Sequence, residues 1–159
     1  MLQIDEQVQI MEAMPLSALD GLVSVAERTL AHLGVVADLS IVIAPDEVVR
    51  ELNAEHRGVD AVTDVLSFAA EPLPPEIDEP PYLGDLILAY AYTIAQAGAA
   101  NHHPPHEFGL LVVHGILHLV GYDHDTAESQ RVMWAKQAEL LALLDIPITV
   151  PDFIHSPDD

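Results

Sequence analysis

The stretch LLVVHGILHLVGYDH, Leu110–His124, is an apolar run broken by two histidines and closed by a glycine. Its apolar part, Leu110 to Val120, is far short of the roughly 20 residues that a membrane-spanning helix needs. A soluble protein is therefore expected, with a helix from about Pro105 to Val120 closed by Gly121, where a helix C-cap favours glycine. His114 and His118 stand four residues apart, so both rings project from one face of that helix. Gly121 lets the backbone leave the helix, and the short Tyr122–Asp123 segment swings His124 back toward the same point. Three neutral imidazoles leave one tetrahedral position open, the arrangement of a catalytic zinc whose water has its pKa lowered to about 7. A pair of histidines at this spacing is more often structural. The third changes the reading, because three buried imidazoles without a metal would each need hydrogen-bond partners.

The chain has no cysteine, so any metal must sit on His, Asp or Glu. Zinc suits the geometry, although nickel, copper or iron also accept imidazole. Gly115 stands where the H-E-x-x-H pattern of zinc peptidases carries its glutamate base. A general base would have to come from elsewhere, with Asp85, Asp123 and Asp125 as candidates. For Asp123 and Asp125, helix capping and orientation of a histidine are the plainer roles.

Outward from this segment, strand and helix patterns alternate. Leu2, Ile4, Val8 and Ile10 recur at the even spacing of a half-buried strand. From Ser17 onward Leu19, Val23, Ala26, Leu30 and Leu33 mark an amphipathic helix that Gly34 can end. Leu39–Ala44 reads as a buried strand. Pro45 and Asp46 open a helix to about Glu55, with Val48, Val49 and Leu52 inward and Arg50 and Glu51 facing water. A third strand is expected at Val65–Phe68, with Thr63, Asp64 and Ser67 arranging the turn and strand there. Residues 71–81, EPLPPEIDEPP, hold five prolines and four acids and so form an exposed loop.

Tyr82–Leu88 makes a fourth strand and Ala89–Ala100 a helix. His102, His103 and His106 read as a solvated loop before the motif helix. Asp125 or Thr126 caps the last helix, which runs to about Leu144 with Val132, Met133, Ala135, Leu140 and Leu143 inward and Trp134 as packing. Residues 146–159 are expected to form a loose tail. The sum is an α+β fold in a single domain, 1–159, with a small mixed sheet of about four strands packed with about five helices.

Composition limits the function classes. At 159 residues and 50% apolar, the chain suits one compact domain. The N-terminus lacks a basic leader followed by an apolar run, and the absence of cysteine suits a reducing compartment, so a cytoplasmic protein with no membrane partner is expected. Against 26 acidic residues stand 5 basic ones, a formal net charge of −21. That balance argues against non-specific nucleic-acid binding, which depends on Lys and Arg displacing counterions. DNA is not an expected partner, and RNA would need a local positive site, which a bound dication and a few arginines supply.

HGILHLVGYDH (His114–His124) resembles the signature of the YbeY family of zinc-dependent endoribonucleases and rRNA maturation factors. LNAEHRGVDAVTDVLSF (Leu52–Phe68) is similar to that family's second shared block, and YLGDLILA (Tyr82–Ala89) to its third. The order and spacing of the three blocks agree, so the resemblance covers nearly the whole chain. It implies that His114, His118 and His124 are ligands of one zinc ion. It also implies that Arg57 lines the catalytic cleft, where a guanidinium grips phosphate and offsets developing charge. Spacing alone would make Arg57 a surface residue at the negative end of its helix. The implied activity is single-strand-specific endonuclease cleavage in rRNA maturation, including the 16S rRNA 3′ end, ribosome biogenesis and RNA quality control. His114 and Arg57 then carry the catalysis, with rRNA precursor and the ribosome or ribosomal proteins as partners. Whether water or the 2′-hydroxyl attacks stays open. Two other classes fit the same residues: a ribosome-assembly factor with a structural metal, and a zinc hydrolase of another substrate class.

Overall fold

Alternating apolar residues in the central strands require cover on both faces, and the helices supply it. The structure, a computed structural model, describes residues 2–4, 21–71, 74, 76 and 81–149. In chain order these form β1 (Leu2–Ile4), α1 (Leu22–His32), β2 (Asp38–Ala44), α2 (Asp46–Arg57), β3 (Val65–Ala69), β4 (Tyr82–Ala89), α3 (Tyr90–Ala100), α4 (Pro104–Leu119) and α5 (Ala127–Leu143). The strands make one sheet in the order β1-β2-β4-β3. β1, β2 and β4 run parallel to one another, and β3 is antiparallel to β4. The result is the α+β single domain with a mixed sheet that the pattern predicts. Residues 5–20, with the rest of the expected first strand and the start of the expected first helix, lie outside the described residues.

Strand periodicity sorts the side chains into two layers. Leu39, Ile41, Ile43, Val65, Leu86 and Leu88 face α1 and α4, where Leu22, Ala26, Leu30, Phe108, Leu111, Val112 and Ile116 meet them. Leu66 and Ile87 face the other way and pack against Val49 of α2. On the far side of α4, Leu110, Val113 and Leu117 meet Met133, Leu140 and Leu141 of α5. α4 is thus a central helix, buried on every residue from Glu107 to Leu117. Such a helix has no polar face, which is why its sequence shows an apolar run instead of a stripe.

Local chemistry sets the ends of the elements. α2 stops at Gly58, whose φ of 73° a side chain would resist. α5 starts in a capping box: the Ser129 amide donates to Thr126 Oγ1 at 3.0 Å, and the Thr126 amide donates to Ser129 Oγ at 3.1 Å.

Two expectations change. The inward face of α5 is Met133, Gln137, Leu140 and Leu141, while Ala135 is exposed and Val132 and Leu143 are 50% and 42% exposed. Apolar residues at adjacent positions such as Val132 and Met133 leave the phase of a helix open, and contacts with α4 select it. The loose tail does not begin at residue 146. Ile146 and Ile148 are buried with α4 and α5, after Asp145 at φ 58° redirects the chain. Ile146 lies so close to Gly109 that a Cβ there would sit 2.9 Å from its Cδ1. Residues 150–159 lie outside the described residues, as does most of the 71–81 loop, of which Glu71, Pro74, Glu76 and Pro81 are exposed.

Two glycines permit close approach. Gly84, at φ 141°, sits where a Cβ would be 2.0 Å from the Phe68 carbonyl oxygen of the neighbouring strand. Gly115 sets α4 on β4, with a Cβ position 2.6 Å from Leu86 Cδ2. Gly84→Ala is expected to lose at least about 3 kcal/mol in urea unfolding, because both backbone strain and a backbone clash oppose it. For Gly115→Ala, overpacking of about 1–3 kcal/mol outweighs a helix-propensity gain of about 1. The same assay is expected to show a net loss of up to about 2 kcal/mol.

Candidate metal centre

One turn of α4 separates His114 from His118 and brings their rings to 4.8 Å between centroids. The helix ends at Val120, and Gly121 at φ 109° turns the chain. The Tyr122 amide then donates to the Leu117 carbonyl at 2.9 Å, and the His124 amide to Asp123 Oδ1 at 2.7 Å. This hydrogen-bonded reversal returns His124 to within 5.0 Å of the His118 ring and 5.7 Å of the His114 ring. One nitrogen from each of the three lies within 4.8 Å of the others, the one such convergence of three metal-binding side chains among the described residues.

The three Nε2 atoms are buried and make no hydrogen bond with the protein. Clustered imidazole nitrogens of this kind are the donor set that zinc and its neighbours in the transition series prefer, so the residues fit a metal. His114 is fully buried, whereas His118 and His124 are half-buried as whole residues. Behind it, His114 Nδ1 lies 3.0 Å from Gln137 Oε1, and Gln137 is itself only 1% exposed. Trp134 stands edge-on to the rings of His114 and His124, at 5.9 and 5.3 Å. Its expected packing role holds, and what it packs against is the histidine cluster.

Arg57 lies at the end of α2 and is exposed. Its guanidinium donates to the Ser67 carbonyl at 2.8 Å and sits 5.8 Å from the Phe68 ring centroid. This anchors it at the outer edge of β3, whereas the histidines belong to the α4 side of the sheet. Strand register links the two: Ser67 pairs with Leu86, and Leu86 packs on Gly115 beside His114. Gly115 thus faces the sheet, and a glutamate there would meet Leu86 rather than a substrate. Asp85, one residue from Leu86, points to the opposite sheet face by strand alternation and is engaged by Tyr82. Burial first, and then the bond to Asp85, holds the Tyr82 phenol above its ordinary pKa, with Ser40 acting against them. Asp123 and Asp125 are used locally, on the His124 amide and the Ser129 hydroxyl.

His102 and His103, which precede α4, and His106, in its first turn, do not join the cluster. His102 is braced by Glu107, Nδ1 to Oε1 at 2.6 Å, so it is not simply a solvated loop residue. Gln96 Nε2 donates to both Glu107 and Asp64, at 3.1 and 3.2 Å, tying the start of α4 to the start of β3. Asp64 also accepts the Val65 amide at 2.8 Å, the turn role expected of it. Gln137 is the contact that sequence reading missed. A polar residue four positions after Met133 and three before Leu140, on their helix face, was the available signal.

Comparison with known proteins agrees with these motifs. The family model described as Endoribonuclease YbeY matches residues 3–145. Proteins named Endoribonuclease YbeY from Geobacillus kaustophilus and Moorella thermoacetica are each 46% identical, over 112 and 114 residues, covering 67% of this chain and 72% of each relative. One of the same name from Bacillus subtilis is 45% identical over 111 residues, covering 66% of this chain and 71% of its own. The fold is similar to a Thermotoga maritima protein solved in solution, with TM-score 0.53 and 21% identity over 98% of this chain and all of that one. From the three sequence blocks, the α+β fold that carries them and this match along nearly its full length, the chain belongs to the YbeY family of endoribonucleases.

Proposed function

We propose that this endoribonuclease uses one zinc ion, held by His114, His118 and His124, to cut single-stranded RNA in ribosomal precursors, the 3′ end of 16S rRNA among its targets. The observation that carries the reading is the convergence of three imidazole nitrogens at one point, with no fourth metal-binding side chain grouped with them among the described residues. Structural zinc sites are closed by four protein ligands, whereas catalytic ones use three and keep a position for water or substrate. A set of three such side chains among the described residues therefore favours a hydrolase over an assembly factor with a structural metal. The printed names of the relatives favour RNA over other substrate classes.

Zinc at this point would supply Lewis acidity toward a phosphodiester oxygen or water. The chain's own part is to hold and orient. His114 is fixed in a dry wall, and His118 and His124 complete the donor set toward solvent. Arg57, steered by the Ser67 carbonyl and the Phe68 ring, supplies a cation for the phosphate at the β3 edge. In a chain of net charge −21, that local cation and the metal must overcome long-range repulsion of RNA. Presentation of the substrate by the ribosome or ribosomal proteins in the cytoplasm meets this need. No helix among the described residues is long and apolar enough to cross a membrane.

Purified protein is expected to hold about one zinc per chain and to cleave single-stranded RNA. Chelation or His118→Ala is expected to abolish both, and re-added zinc to restore only the native chain. Elemental analysis and cleavage measured on one sample would reject the reading if metal-free protein cut as fast as loaded protein. Arg57→Ala is expected to keep its zinc and lose about 100- to 1,000-fold in cleavage rate, the range found when one donor to a developing oxyanion is removed. Unchanged cleavage by this variant would remove Arg57 from the mechanism.

A further inference from the structure

We propose that Gln137 is the positioning residue of the metal centre, holding the His114 proton on Nδ1 and so directing the Nε2 lone pair at the point where the three histidines meet. This rests on the metal reading of the cluster above. Gln137 lies on the inward face of α5 among Met133, Leu140 and Leu141, where a carboxamide is costly unless hydrogen-bonded. Its Oε1 lies 3.0 Å from His114 Nδ1, and the two residues are 1% and 0% exposed.

A carboxamide oxygen only accepts, so Nδ1 must donate. A neutral imidazole has a single N–H, and with the proton on Nδ1 the Nε2 atom is left as an acceptor. The opposite amide orientation would donate to Nδ1 and place the proton on Nε2, facing His118 and His124, where it would exclude a cation. Trp134 is three residues before Gln137, on the same side of α5. Its indole edge against His114 and the carboxamide on Nδ1 therefore form one clamp from a single helix turn. Ring orientation and tautomer are both set from α5, although the ligands themselves come from α4 and the turn after it.

The test begins with the unaltered chain, stripped of metal and labelled with nitrogen-15, in which long-range nitrogen–proton correlation spectra read the His114 tautomer. Zinc dissociation constants by competition with a chromogenic chelator follow for the native chain, Gln137→Met and Gln137→Glu. Thermal unfolding shows which variants are folded. The expected result is the proton on Nδ1 in the native chain and loss of that preference in Gln137→Met. Zinc binding should weaken about 10- to 100-fold in Gln137→Met and recover in Gln137→Glu, whose carboxylate keeps the acceptor. A proton on Nε2 in the native chain would overturn the proposal without any variant. Native zinc affinity and tautomer in a folded Gln137→Met would overturn it equally, leaving Gln137 as packing. Failure of the native chain to bind zinc, with the Nδ1 tautomer observed, would instead overturn the metal reading on which the proposal stands.

Discussion

Complete burial of α4 is the constraint from which the rest of the structure follows. A helix enclosed from Glu107 to Leu117 excludes water from the polar side chains within that span, and each must then find a partner in the protein or in a bound ion. Glu107 is met by His102 and Gln96, and His114 by Gln137. Those two polar contacts draw in α3 at one end and α5 on the outer side, so the satisfaction of two buried groups also fixes how the neighbouring helices sit. The close seat of Gly115 on Leu86 fixes the remaining side against the sheet.

The same burial divides the histidine cluster into a rigid back and an accessible front. His114 is held within the core, whereas His118 and His124 lie where α4 emerges and turns. Rigid support behind and solvent access ahead are what a site needs in order to keep its geometry while exchanging substrate and product. The edge strand β3 carries the anchor of Arg57, and the Asp64–Gln96–Glu107 bridge ties that strand's start to the start of α4. Arginine and histidines thus stand on elements that are braced to each other, although they come from opposite sides of the sheet. The acidity of the chain adds a second constraint. Its net charge of −21 sets up a surface field that opposes RNA at a distance.

Legibility in the sequence followed from how local each determinant was. The spacing of His114 and His118, the glycine at 121 and the return of His124 could all be read from the chain, because a helix turn and a chain reversal involve few residues. The strands at 39–44, 65–68 and 82–88 were legible from their apolar runs, and the start of α5 from Asp125 or Thr126. The face that α5 turns inward was not. Val132 and Met133 are equally apolar, so the choice between them required knowing that His114 lay opposite Gln137. Ile146 and Ile148 were likewise hidden by the prolines around them, since their burial depends on a gap beside Gly109 that exists only after α4 and α5 have packed.

By itself the sequence determined which three histidines come together, the order of strands and helices and, through three motif blocks, the family, because each is written in short-range spacing. Tertiary structure alone decided which nitrogen of His114 faces its fellow histidines, which wall Trp134 and Gln137 build, and on which sheet edge Arg57 stands. These depend on contacts between residues far apart in the chain, such as the 23 positions from His114 to Gln137. No local pattern encodes such a contact, because its free energy appears only when burial has removed the competing water.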